Sequence, residues 1–195
     1  IRIAALASGR GSNLQAVIDA IDAGTLDAQI VGVFSDKPDA AALQRVPDAL
    51  RWSRQPKTFA SRDAFDAALG DAVAASEPDW IICVGYMRIL GEAFVQRFRG
   101  RLLNIHPSLL PKYKGLHTHA RAPEAGHAEH GATVHFVTAE LDAGAVIAQA
   151  RVPVQAGDDA DALAARVLSV EHPLLLQVLR LAAAGRIAER DGQAM

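Results

Sequence analysis

Short apolar runs alternate with helical stretches through the first half of the chain, and that alternation constrains the fold more than any other feature. Ile1–Ala7, Ile30–Ser35, Asp79–Val84 and Leu102–His106 read as strands. Between them, Ser12 to about Ala23, Ala40–Leu50, Ser61–Ser76 and Glu92–Phe98 read as helices. Ser12 or Asn13 is placed to cap the first helix and Gly24 to stop it. Pro47 must break or shorten the second. This pattern predicts a Rossmann-like α/β fold, an open, twisted, mostly parallel sheet with helices on both faces. Further along, a short helix at Arg121–His127 precedes Thr133–Val137 and Val146–Val154, which read as strands of an antiparallel extension in the C-terminal half. Asp161–Ala184 is a long closing helix that Pro173 is expected to bend or restart. No repeat or linker interrupts the chain. One domain over residues 1–195 is expected, with halves of about 1–100 and 101–195 and a cleft between them.

Composition narrows the function. A net charge of −2 offers no basic surface for nucleic acid. The one cysteine, Cys83, sits in an apolar run and is expected in the core. It excludes an internal disulfide and fits a reducing, cytoplasmic location. No stretch reads as apolar enough, or long enough, to span a bilayer. The N-terminus shows no signal-peptide pattern.

The most informative motif is NIHPSLLPKYKGLHTHARA, residues 104–122. Asn104 and His106 stand two apart at the end of an apolar run, so both point to one face of a strand where it meets its loop. An amide N–H beside an imidazole suits the holding of a carbonyl oxygen as it becomes an oxyanion. Near the start, SGRGSN follows a strand and opens a helix, an arrangement that brings free N–H groups to an anion. Leu14 stands where the dinucleotide fingerprint needs its last glycine, and no Walker lysine follows. Taken alone, this loop is equally a plain strand-to-helix turn, and Met87, Ile89 and Leu90 read as core. Asp142, in Glu140-Leu141-Asp142-Ala143-Gly144, has the character of a turn aspartate. His117 and His119 form a His-x-His pair that lacks a third ligand, so no metal is expected.

Continued through Pro107-Ser108-Leu109-Leu110-Pro111 to Gly115, the Asn-x-His motif resembles the signature of the folate-dependent formyltransferases. Gly115-Leu116-His117-Thr118-His119 resembles the branch that acts on glycinamide ribonucleotide. SGRGSNLQA, GYMRIL, HGATVHFVTAELDAG and ARVLSVEH match that branch in order over nearly the whole chain.

The resemblance implies formyl transfer from 10-formyltetrahydrofolate, as co-substrate, to the primary amine of glycinamide ribonucleotide in purine biosynthesis. Asn104, His106 and Asp142 would be catalytic, with Asp142 orienting and charging His106. Gly11, Ser12 and Asn13 would grip the ribotide phosphate and Glu171 the ribotide itself, making the N-terminal half phosphate-binding. Arg62, Met87, Arg88, Ile89 and Leu90 would line the folate site, with Val137, Glu140 and Leu141 on the opposite wall. Arg88 suits either the phosphate or a folate carboxylate. His119 and His135 would form the site wall. Leu168 stands where the family often has glutamine, and Ala143 where it often has glycine. The implied partners are small molecules, with neither nucleic acid nor membrane, and the chain a monomer or homodimer. The alternatives are another formyl-folate enzyme, a hydrolase or a methionyl-tRNA formyltransferase relative, and a dinucleotide-binding module suggested by Gly9-x-Gly11 with Asp36.

Overall fold

The computed structural model describes residues 1–195. The chain divides into two compact units, Ile1–Leu103 and Asn104–Met195. The strands are β1 (Arg2–Leu6), β2 (Gln29–Ser35), β3 (Arg51–Ser53), β4 (Trp80–Cys83), β5 (Leu102–His106), β6 (Glu129–Phe136) and β7 (Val146–Pro153), with a C-terminal hairpin of β8 (Glu189–Arg190) and β9 (Gln193–Ala194). The helices are α1 (Ser12–Asp22), α2 (Arg62–Ala75), α3 (Glu92–Arg97), α4 (Thr118–Glu124) and α5 (Ala160–Ala183). The sheet order is β3-β2-β1-β4-β5-β6-β7. β1 pairs in parallel with β2 and β4, and β2 with β3, whereas β6 and β7 are antiparallel. The mostly parallel sheet with its antiparallel extension is the expected fold class.

In the first unit, β1 and β4 are almost wholly buried, as continuous apolar runs should be when both faces of a parallel sheet are covered. Cys83 is buried there, and burial pushes its thiol up to about 12, so it behaves as a small hydrophobe. Two local expectations fail. Neither Ser12 nor Asn13 caps α1: Gly11 is the N-cap residue, in the left-handed region. Ala40–Leu50 is not an α-helix but two 3-10 turns, Ala41–Arg45 and Asp48–Leu50, and β3 follows directly. Pro47 is the reason, since it denies the helix an N–H and drives its neighbour to extended backbone.

In the second unit, α5 runs unbroken through Pro173. Its buried stripe of Leu163, Val167, Leu174, Leu175, Val178, Leu179 and Ala182 packs on β6 and β7. That packing offsets the roughly 3 kcal/mol a helical proline costs. Contrary to expectation, α5 is long and apolar enough to cross a membrane by length and composition. Asp159 caps it, its carboxylate accepting from the Ala162 N–H at 2.7 Å. α4 begins three residues earlier than the Arg121 start read from sequence.

α4 is joined to β6 by an imidazole pair: His119 Nδ1 lies 3.1 Å from His130 Nε2, with the rings edge to face. Burial pushes His130 down from 6.5 to about 4, and the neighbouring His119 and His106 add to the shift. The unfolded chain therefore binds a proton here that the folded chain refuses. The stabilisation is complete above pH 6.5 and is lost as pH falls toward about 4. Urea titrations at neutral pH and in that acid window should show a smaller acid loss for His130→Phe than for the wild type.

Candidate active site

Asn104 and His106 leave β5 on one face, and the side chains they meet come from β6 and the turn after it. Asn104 Nδ2 lies 3.2 Å from His135 Nε2. His135 is buried, and its Nδ1–H donates to the Phe136 carbonyl at 2.9 Å. A neutral His135 therefore offers Nε2 as acceptor, and Asn104 donates to it. Burial holds His135 below its ordinary value, outweighing the opposing pull of the Phe136 carbonyl and Asp142. This bond fixes the Asn104 amide and leaves its second N–H unspent.

His106 is 5% exposed, with oxygen on both sides. Its Nε2–H donates to the Tyr113 carbonyl at 2.6 Å, while Nδ1 faces Asp142 Oδ2 at 3.5 Å. Nε2 therefore carries a proton, and Nδ1 is the ring nitrogen turned toward the carboxylate. Asp142 is held in turn, because Oδ2 accepts the Gly115 N–H at 2.8 Å and Oδ1 lies 3.8 Å from His135 Nε2. The aspartate adopts φ +49°, which Asp tolerates better than most residues. The neighbouring Ala143 is exposed and undemanding. Gly144 is the constrained position, since a Cβ there would sit 1.7 Å from the Phe136 carbonyl oxygen.

The Gly-rich loop lies in the first unit. Gly11 turns at φ +74° into α1, whose first turn carries no acidic residue. A Cβ on Gly11 would lie 2.7 Å from Ala42 Cβ, so the loop needs this glycine for packing. A Cβ on Gly9 would have nothing within 4 Å, and Gly9 is the exposed glycine of the loop. Sequence reading missed Arg45, whose Nε–H donates to the Arg10 carbonyl at 2.7 Å and whose Nη1 donates to Gln15 Oε1 at 3.0 Å. It also missed Ser8, whose Oγ donates to Asp36 at 2.7 Å and accepts the Met87 N–H at 2.9 Å. Both act across long sequence separations that no local pattern records. Asp36, the candidate ribose ligand of a dinucleotide-binding module, is buried and engaged by Ser8.

Ser8 thereby fastens the 85–90 segment. Met87 and Ile89 are 60% and 51% exposed, against the core assignment their apolar character suggests, whereas Leu90 is buried. Arg62 Nη2 donates to the Ile89 carbonyl at 3.2 Å, and the Arg88 guanidinium lies 5.2 Å over the Phe65 ring. In the second unit, Val137 is half-buried, Glu140 and Leu141 are exposed, and Glu171 is buried on α5. His119 is half-buried and held low by burial and the neighbouring His106. No group of three or more His, Cys, Asp or Glu side chains is arranged to hold a metal ion.

The formyl transferase family model matches residues 1–179. Phosphoribosylglycinamide formyltransferase of Escherichia coli strain K12 is 47% identical over 196 residues, covering 100% of this chain and 92% of the relative. Among solved structures, glycinamide ribonucleotide transformylase 1 from Symbiobacterium toebii superposes with a TM-score of 0.95 at 41% identity, over 100% of this chain and 92% of that one. A formyltetrahydrofolate deformylase from Pseudomonas syringae is more distant, with a TM-score of 0.88 at 26% identity over 100% of this chain and 65% of its own. The chain belongs to the formyl transferase family and, within it, to the phosphoribosylglycinamide formyltransferases.

Proposed function

We propose that the chain transfers the formyl group of 10-formyltetrahydrofolate to the primary amine of glycinamide ribonucleotide. The observation that carries this reading is the buried cluster of Asn104, His106, His135 and Asp142, with its unspent amide N–H and its imidazole between two acceptors. The amine nitrogen attacks the formyl carbon, forming a C–N bond and a tetrahedral species with a negative oxygen. Asn104 donates its second N–H to that oxygen, and the His106 imidazole stands beside Asn104 on the same face of β5. Asp142 orients the ring. The nitrogen–carbon bond to the folate then breaks, and the proton lost by the amine moves to the folate nitrogen, with Asp142 as the carboxylate nearest that path. No enzyme nucleophile takes part.

In this reading the first turn of α1, with Gly11, Ser12 and Asn13, binds the ribotide phosphate, and Glu171 contacts the ribotide. Arg62, Met87, Arg88, Ile89, Leu90, Val137, Glu140 and Leu141 contact the folate, and His119 and His135 shape the site. The exposed Met87 and Ile89 support a ligand surface over a core role. Incubation with formyl-folate and glycinamide ribonucleotide should yield formylated ribotide, and the same mixture lacking the ribotide should release little formate. Formate release at the same rate in its absence would instead mark a hydrolase.

Asn104→Ala should lower kcat by about a hundredfold or more, with KM little changed, because the lost donor acts on charge that develops only in the transition state. Steady-state kinetics on the folded variant checks this, and near-wild-type turnover would overturn the oxyanion role.

Asp142→Asn keeps the shape but changes the group facing His106, so the ring's 15N signals should move from their wild-type positions. The double variant Asp142→Asn/His106→Ala should turn over little more slowly than the poorer single variant. Additive losses with unchanged ring signals would leave Asp142 a loop-shaping residue.

The Gly-rich loop calls for two variants. Gly11→Ala meets Ala42 and a left-handed backbone, so a fall in thermal midpoint is expected whatever the loop binds. Gly9→Ala meets open space, so the fold should be untouched while the added methyl crowds a bound anion. The expected result is a several-fold rise in KM for the ribotide alone, on the order of 1 kcal/mol. An equal rise for both substrates would make the loop structural.

A further inference from the structure

We infer that Gln149 is a positioning residue for the transfer reaction, acting on His106 through the loop between Pro107 and Tyr113. The inference rests on the formyl-transfer reading and extends it to a side chain outside the catalytic cluster. Gln149 lies on β7 directly across from Thr133 on β6. Its Nε2 donates to the Leu110 carbonyl at 2.9 Å and to Thr133 Oγ1 at 3.0 Å. Thr133 Oγ1 accepts the Leu110 N–H at 3.1 Å and donates to the Ser108 carbonyl at 2.7 Å. One cross-strand pair thus holds both main-chain polar groups of Leu110, with side chains standing in for strand hydrogen bonds.

The loop passes this constraint to the imidazole. Ser108 Oγ lies 2.6 Å from the Lys112 carbonyl and 3.2 Å from the Tyr113 carbonyl. Tyr113 sits at φ +60°, a conformation that costs a bulky residue energy and persists only where its surroundings enforce it. Its carbonyl is the oxygen that accepts from His106 Nε2 at 2.6 Å. That contact sets which imidazole nitrogen turns toward Asp142. A carboxylate at Gln149 cannot donate to either acceptor, and an aliphatic chain can donate to none.

The test combines kinetics with the state of the ring. Gln149→Leu and Gln149→Glu should lower kcat about ten- to a hundredfold, since a small misplacement of a reacting group costs that much. KM for both substrates should stay within about twofold, because the ligand contacts are intact. In a His106→Ala background the same substitutions should cost less than about twofold, because the residue they act through is gone. Long-range 1H–15N spectra should show the wild-type His106 ring with Nε2 protonated and that signal shifted or broadened in both variants. The spectra need no substrate, so they decide the positioning role even if the wild type fails to formylate the ribotide. Equal losses in both backgrounds, or an unchanged ring signal in either folded variant, would overturn the inference. Thr133→Ser, which keeps the hydroxyl, should retain near-wild-type turnover, whereas Thr133→Val should resemble the Gln149 variants.

Discussion

The site turns on one imidazole caught between two oxygen acceptors. His106 has a main-chain carbonyl at 2.6 Å on one side and a carboxylate oxygen at 3.5 Å on the other, in surroundings that leave it 5% exposed. Each ring nitrogen faces one of these oxygens, so the ring cannot turn without giving up one of the two contacts. Both acceptors come from residues in the left-handed region, Tyr113 at φ +60° and Asp142 at φ +49°. Such strained backbone persists only where the surrounding structure enforces it.

Supporting that ring accounts for the shape of the second unit. The antiparallel pair β6 and β7 contributes His130, Thr133, His135 and Gln149: His135 bonds to Asn104, Thr133 and Gln149 bond to the loop after β5, and His130 bonds to His119 on α4. α5 covers the pair with an apolar stripe, so strands carrying four polar side chains still have a hydrophobic backing. Asn104, His106 and His135 thus stand on regular strands, while Asp142 and the Tyr113 carbonyl come from the intervening loops.

Much of this was legible in the sequence because it is periodic or local. The βα alternation gives the parallel strands, and the two-residue spacing of Asn104 and His106 gives their shared face. The closing helix is legible from its apolar stripe, which also explains why Pro173 does not break it: tertiary packing outweighs a local penalty. What escaped depends on contacts distant along the chain. The 3-10 turns at Ala41–Arg45 and Asp48–Leu50 are there because Pro47 forbids one helix, and nothing in the composition of Arg51–Ser53 announces a strand. Arg45, Ser8 and Gln149 act on segments 35, 79 and 39 residues away, where no spacing rule reaches. For Asp142 and Gly11 a local reading is true but incomplete, and for Asp142 the resemblance already adds the partnership with His106. Asp142 is a turn aspartate and also a charge partner, and Gly11 is a turn glycine whose missing side chain leaves room for Ala42.

The four clustered histidines obey a single electrostatic constraint. His106, His119, His130 and His135 lie close enough that a charge on the first disfavours protonation of each of the others. One carboxylate, Asp142, lies 3.5 Å from His106 and 3.8 Å from His135. Burial disfavours a cation at His119, His130 and His135, and repulsion from neighbouring rings adds to that. Those rings are therefore held toward the neutral form, and neutral rings can do what a cation cannot: accept. His135 uses that capacity to take the Asn104 N–H, which aims the amide. The Phe136 carbonyl occupies His135 Nδ1, so Nε2 is the nitrogen left to accept. A donor aimed in this way before a ligand arrives leaves less to reorganise when charge develops beside it.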